Sequence, residues 1–102
     1  MDFGIIVAKE IEEDAVLKRI NDPRPVKHEQ ALKCTQGEWQ GYSVVVVRTT
    51  RQGSVHSAIA AMDLARDFDP RYFVLIGIAA GFRKNVKLGS VVIADQVVGY
   101  EY

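Results

Sequence analysis

The 102-residue sequence predicts an α/β fold with a mixed central sheet flanked by helices, on three observations. Short β-rich apolar runs alternate with longer stretches whose apolar residues recur at helical spacing. Proline and glycine pairs separate these runs, and no internal repeat, linker or low-complexity tract interrupts them. The expected order is β-α-β-β-α-β-β-β, read as one unit over residues 1–102.

The elements follow one by one. "FGIIVA" from Phe3 is a strand, and "EIEEDAVLKRI" from Glu10 is a helix with Ile11, Ala15, Val16 and Ile20 on one stripe. Asp22, Pro23 and Pro25 stop that helix, because proline lacks an N–H and keeps the residue before it out of the helical region. "HEQALKCTQGEWQGYSVVVVRTT" from His28 reads as successive strands, with turns at Gln36-Gly37 and Gln40-Gly41 and a β-branched run at Val44 to Val47. Ser54 is placed to cap a second helix, whose apolar face is expected to hold Val55, Ala58, Ile59, Met62, Ala65 and Phe68 before Asp69-Pro70 ends it. Tyr72 to Ile76 and Ser90 to Ala94 are continuous apolar runs of strand length, the pattern of strands buried on both faces.

Composition bounds the function. With 48% hydrophobic and 25% charged residues the chain reads as one soluble globular domain. Thirteen basic residues balance thirteen acidic ones, so the summed field favours neither nucleic acid nor an anionic membrane, and the expected partner is a small molecule or a protein. Cys34 is the single cysteine, which excludes an intrachain disulfide and a multi-thiolate metal site and suits a reducing, cytoplasmic setting. The opening "MDFGIIVAKEIEE" lacks the charge pattern of a secretory signal, and no apolar run reaches the ~18–20 residues of a spanning helix. His28 and His56 are far apart in sequence, so no metal or other cofactor is expected.

Four stretches, "GIIVAKEIEEDAV", "TTRQGSVHSA", "DPRYFVLIGIAAGF" and "VKLGSVVIADQVVGYEY", together resemble the nucleoside phosphorylase and nucleosidase superfamily, in particular its methylthioadenosine/S-adenosylhomocysteine nucleosidase branch. The resemblance covers essentially the whole chain and corresponds to the N-terminal half of the longer family members. It implies a partial phosphorylase/nucleosidase-like α/β sandwich, and cleavage of the N-glycosidic bond of a nucleoside by phosphate or water. That bond breaks through an oxocarbenium-like state, so a competent site must stabilise a sugar cation and help the departing base accept a proton.

The residues favour water as the acceptor. Phosphorylases of this superfamily hold phosphate with a glycine and an arginine in the first turn, an arginine two residues before the small-residue loop, and a hydroxyl just after its first glycine. Here the first turn is "VAKEIEE", Leu75 precedes Gly77 by two, and Ile78 follows it. Bringing phosphate to Glu10, Glu12 and Glu13 also costs repulsion of roughly 1–4 kcal/mol per close pair. In the nucleosidases an acid of this turn binds the attacking water, and the resemblance puts that role on Glu12, with Glu10 and Glu13 as alternatives. Without the resemblance, Glu12 reads as an acid placed to suit a helix dipole.

The loop Gly77, Ile78, Ala79, Ala80 and Gly81 is bare enough for a ligand to approach its backbone, and by resemblance it lines the ribose and base pocket. The plainer reading is a tight strand end against a helix; no helix pattern follows it, so it is not a dinucleotide fingerprint. Ile78 stands where the family's nucleosidases usually carry serine. Arg51 and Gly53, in the turn "RQGS", are candidates to receive an anion such as the phosphate of a nucleotide, against the plainer reading of a solvated turn. Arg83, Lys84 and Lys87 read as a solvated loop, and Tyr100, Glu101 and Tyr102 as a terminus that could border the pocket or a subunit contact.

The expected function is therefore that of the N-terminal part of a nucleosidase-like domain, hydrolysing the N-glycosidic bond of a purine nucleoside or nucleotide without phosphate. By resemblance, the glutamate that grips the ribose and the aspartate that protonates the base belong to the C-terminal half, so the chain alone is expected to be inactive. Open strand edges and apolar helix faces lead to the expectation of a homo-oligomer. The alternative is a catalytically incomplete nucleoside-binding or oligomerisation module of a larger signalling or regulatory protein.

Overall fold

A computed structural model describes residues 1–26, 33–49, 54–79, 84 and 87–96. The first strand, β1 (Phe3–Val7), leads into helix α1 (Glu10–Leu17). Strands β2 (Asn21–Val26), β3 (Lys33–Trp39) and β4 (Tyr42–Arg48) follow, then helix α2 (Ser54–Phe68) and strand β5 (Tyr72–Leu75). Across the sheet the order is β2-β3-β4-β1-β5. β1 runs parallel to both β4 and β5, whereas β2, β3 and β4 are mutually antiparallel, so the sheet is mixed as expected.

Alternation along β4 divides the core in two. Val44 and Val46 pack with Val7 and Ile20, next to Val16 and Leu17 from the α1 side. Val45 and Val47 pack on the other face with Ile6, Cys34 and the α2 residues Ala60 and Leu64. The four valines are fully buried, which explains their continuous apolar run: each face of this strand has its own helix. Gly4 lets α2 come close, since a side chain there would stand 3.0 Å from Pro70 Cγ and 3.3 Å from Leu64 Cδ1.

The Gln40-Gly41 turn forms as expected. Gln40 (φ 49°) and Gly41 (φ 86°) are both left-handed, the two-residue geometry whose twist matches that of its flanking strands. At the start of the sheet, Asp2 ties β1 to β4: its Oδ2 accepts from the Ser43 amide at 2.9 Å, and its own amide donates to Ser43 Oγ at 2.9 Å. Phe3 centres an aromatic group there, with ring centroids 5.6 Å from Tyr42, 5.7 Å from Tyr72 and 6.2 Å from Trp39.

Several expectations are corrected. The "NDPRPV" segment is strand β2, not merely a helix stop; it lies at the sheet edge, where prolines need no ladder partner. Gln36 and Gly37 lie inside β3, and Gly37 is required by close approach, since a side chain there would collide with Ile20 and the Asn21 carbonyl.

The face assigned to α2 is largely its outer one. Ala60 and Leu64 are buried, while Val55, Ile59 and Met62 are exposed, Met62 by 71%. β5 is an edge strand with Tyr72, Phe73 and Leu75 exposed, and Ser90 to Ala94 is exposed and forms no strand. A run buried on both faces needs a neighbour on each edge and a layer on each side, and among the described residues neither segment has them. No described helix is long and apolar enough to cross a membrane.

Candidate functional site

The parallel strands β1, β4 and β5 end side by side, and just past their ends the chain stays in register for one more bond each. Thr49 N–H donates to the Val7 carbonyl at 2.9 Å, and Ile76 N–H donates to the Ile6 carbonyl at 3.0 Å. Crevices beyond the carboxyl ends of parallel strands are the usual ligand sites of such sheets. Here that end is occupied by the first turn of α1.

Glu12 is the third residue of α1, and the amides of a first helical turn have no partner within the helix. Its Oε1 folds back to accept from Lys9 N–H at 2.9 Å and Ala8 N–H at 3.1 Å. Its Oε2 accepts from Ile78 N–H at 2.8 Å. The residue is only 7% exposed, and burial pushes its carboxyl up, but the amides of Ile78, Lys9 and Ala8 more than reverse this and hold it below the ordinary glutamate value. Glu12 is thus an anion. A carboxylate offers about four acceptor positions, and among the described residues three are taken, by these amides.

The neighbouring acids point elsewhere. Glu10 is exposed, and Glu13, though buried, stands with Glu10 around Arg48 at the end of β4, each carboxylate 3.8 Å from its Nη1. Among the described residues, Glu12 is the one of these three glutamates that accepts a hydrogen bond from the small-residue segment. Arg48 carries a signal that sequence reading passed over: a cation closing an apolar strand beside an acidic first turn.

A cavity of about 610 Å³ opens beside Glu12, a size typical of small-molecule sites. Gly77, Ile78 and Ile76 line one end with Glu12, and Phe3 and Trp39 line it toward the aromatic group. The stripe residues Ile11, Ala15, Val16 and Ile20 of α1 and its following turn face this space, which explains why an apolar stripe leaves Ile11 65% exposed. Arg19 is a cation on its lining that the sequence reading did not single out.

Gly77 is not in a left-handed conformation; its relevant feature is proximity, since a Cβ would lie 3.5 Å from Glu12 Oε2. Ile78 turns its amide to Glu12 and leaves its side chain exposed on the cavity, and Ala79 follows it, also exposed. Arg51, Gly53, Ala80 and Gly81 lie outside the described residues, as do His28, Arg83 and the terminal Tyr100, Glu101 and Tyr102. His56 is half-buried on α2, in keeping with a packing role. Cys34 is buried, and burial, with Asp67 and Asp63 nearby, pushes its thiol up and so favours the protonated form. Among the described residues no group of three or more His, Cys, Asp or Glu is placed to hold a metal ion.

Comparison with known proteins agrees with this architecture. The 5'-methylthioadenosine/S-adenosylhomocysteine nucleosidase of Colwellia psychrerythraea is 32% identical over 97 residues, which are 95% of this chain and 39% of that protein. The crystal structure of the Colwellia psychrerythraea nucleosidase in complex with adenine superposes with a TM-score of 0.75 at 32% identity, covering 85% of this chain and 35% of that one. The ATP nucleosidase Cap17 of Escherichia coli is 33% identical over 57 residues, 56% of this chain and 11% of its own length. The chain thus spans well under half the length of these relatives, in line with an N-terminal part. The Phosphorylase superfamily profile matches residues 2–102, and the chain belongs to that superfamily.

Proposed function

We propose that this chain is the N-terminal part of a nucleosidase-like domain that hydrolyses the N-glycosidic bond of a purine nucleoside or nucleotide, with water as acceptor. One observation carries the reading: the buried Glu12 borders the cavity, its carboxylate held by backbone amides and directly against Gly77 and Ile78. In this role Glu12 orients the attacking water and receives its proton as the sugar cation forms, and the cavity holds the nucleoside with Gly77, Ile78 and Ala79 beside the sugar. Ala80 and Gly81 continue that loop in the same reading, and Arg51 and Gly53 are the candidates for the phosphate of a nucleotide. Water is favoured over phosphate because Arg48, the cation that closes β4 beside the first turn, stands between Glu10 and Glu13. Relatives that are nucleosidases by name support the same class of reaction.

The reading extends to residues 1–102 as part of one domain, cytoplasmic, and assembling with further copies of itself. The exposed stripe Val55, Ile59 and Met62 on α2 supports self-assembly. Ile78 favours a second reading, a nucleoside-binding or oligomerisation module without turnover, because its apolar side chain faces the cavity where the nucleosidases usually place a hydroxyl.

The test is a chimera in which this chain replaces the matching N-terminal part of the Colwellia nucleosidase, assayed by chromatography on adenosine, methylthioadenosine, S-adenosylhomocysteine and AMP. The proposal expects free base and free sugar at equal rates with and without phosphate, and no turnover by the chain alone. Formation of a sugar 1-phosphate would refute water as the acceptor. A folded chimera that binds but releases no base would favour the second reading.

A further inference from the structure

Glu12 connects two parts of the chain 66 residues apart in sequence. β5 ends at Leu75 and Ile76 makes one last bond to β1, through its amide to the Ile6 carbonyl. Beyond that point the segment leaves the sheet, and the Ile78 amide donates to Glu12 Oε2 at 2.8 Å. The same carboxylate is anchored at its other oxygen by two amides of the β1-α1 turn.

We propose that Glu12 is a clasp: its carboxylate positions the 76–79 segment against the first turn of α1, whatever part it takes in chemistry. The claim stands apart from the nucleosidase reading, because it concerns only which groups hold this segment.

The chemistry of the group gives the clasp a specific weakness. A carboxylate accepts at both oxygens, so it can face amide donors on two sides, and hydrogen bonds to an ionised acceptor are the stronger kind. A glutamine cannot do this. With its carbonyl oxygen toward Ala8 and Lys9, its NH₂ meets the Ile78 N–H, donor against donor; flipped, it loses both bonds to the turn. Glu12→Gln, the usual way to remove a base, therefore also opens the clasp, and its loss of activity alone does not establish a proton-transfer role. Among the described residues, the charged groups around Glu12 are Lys9 at the start of α1, Glu10 and Glu13 with Arg48 of β4, and Arg19 on the cavity.

The test follows the Ile78 amide by ¹H–¹⁵N NMR in the full chain as pH is lowered, over the range in which the Val45 and Val47 amides show an intact sheet. The expected result is a single titration of the Ile78 amide shift, with a midpoint below the ordinary glutamate value, that is absent in Glu12→Gln. Exchange of the Ile78 amide with solvent should also quicken roughly tenfold in that variant while Val45 and Val47 stay protected. A flat Ile78 shift in the native chain, or the same titration in Glu12→Gln, overturns the proposal. If the variant does not fold, the native titration decides alone.

Discussion

β4 and β5 flank the same strand in the same direction, yet the valines of one are fully buried and most of the other is exposed. Val44 to Val47 have β3 on one edge, β1 on the other and a helix on each face. Among the described residues, Tyr72 to Leu75 pair with β1 alone, and three of the four are exposed apolar groups. The two runs have similar apolar content, so burial is decided by what surrounds a strand rather than by its composition. The candidate site lies at the border between these regions, where Glu12 fastens the continuation of β5 to the helix that covers β4.

The largest expected effect sharpens the contrast directly. Leu64→Ala, in the cluster over β4, should cost about 2–5 kcal/mol by denaturant unfolding, whereas Leu75→Ala on β5 should change stability by no more than roughly 0.5 kcal/mol. Equal costs would mean that β5 is covered in solution.

Acid should act next, at the border. Burial raises the Glu12 carboxyl and its three amides lower it further than that, while the amide and hydroxyl of Ser43 lower Asp2. For a carboxyl lower in the folded than in the unfolded chain, the stabilisation is complete above the unfolded value and is lost as pH falls toward the folded one. Stability from these two groups should therefore be flat from neutrality to about pH 5 and decline below about pH 4, and Glu12→Gln should flatten part of that decline. A loss of stability beginning near pH 6 would point to other groups.

The smallest effect on the fold concerns the outer face of α2. Met62→Glu, at a position 71% exposed, should leave the unfolding midpoint within roughly 0.5 kcal/mol of the native chain while weakening self-association in sedimentation. Unchanged association would remove the stripe as the contact between copies.

The legibility of the sequence follows the same division. Local signals were sufficient wherever a segment's geometry is set by its own residues: the Gln40-Gly41 hairpin, the stop at Asp69-Pro70 and the helix from Ser54 all form as the residues suggest. The stripe of α1 faces one side as its spacing suggests, but the buried face of α2 is not the expected one, because Val55, Ile59 and Met62 satisfy helical spacing as well as Ala60 and Leu64 do. Among the acids of the first turn, spacing left three candidates, and only the fold of the 76–79 segment against Ala8 and Lys9 separates Glu12 from Glu13. Arg48 has only the weak signal of a cation closing an apolar strand, and Arg19 has none; the places of both depend on contacts across the sheet and cavity.

The most direct measurement is a titration of methylthioadenosine into the ¹⁵N-labelled chain, following every assigned amide. The account predicts saturable shifts at residues 8–12 and 76–79, with Asp2 and Ser43 at the opposite end of the sheet unmoved. No saturable response, or one that misses Glu12, Gly77 and Ile78, would contradict a nucleoside site at the ends of β1 and β5.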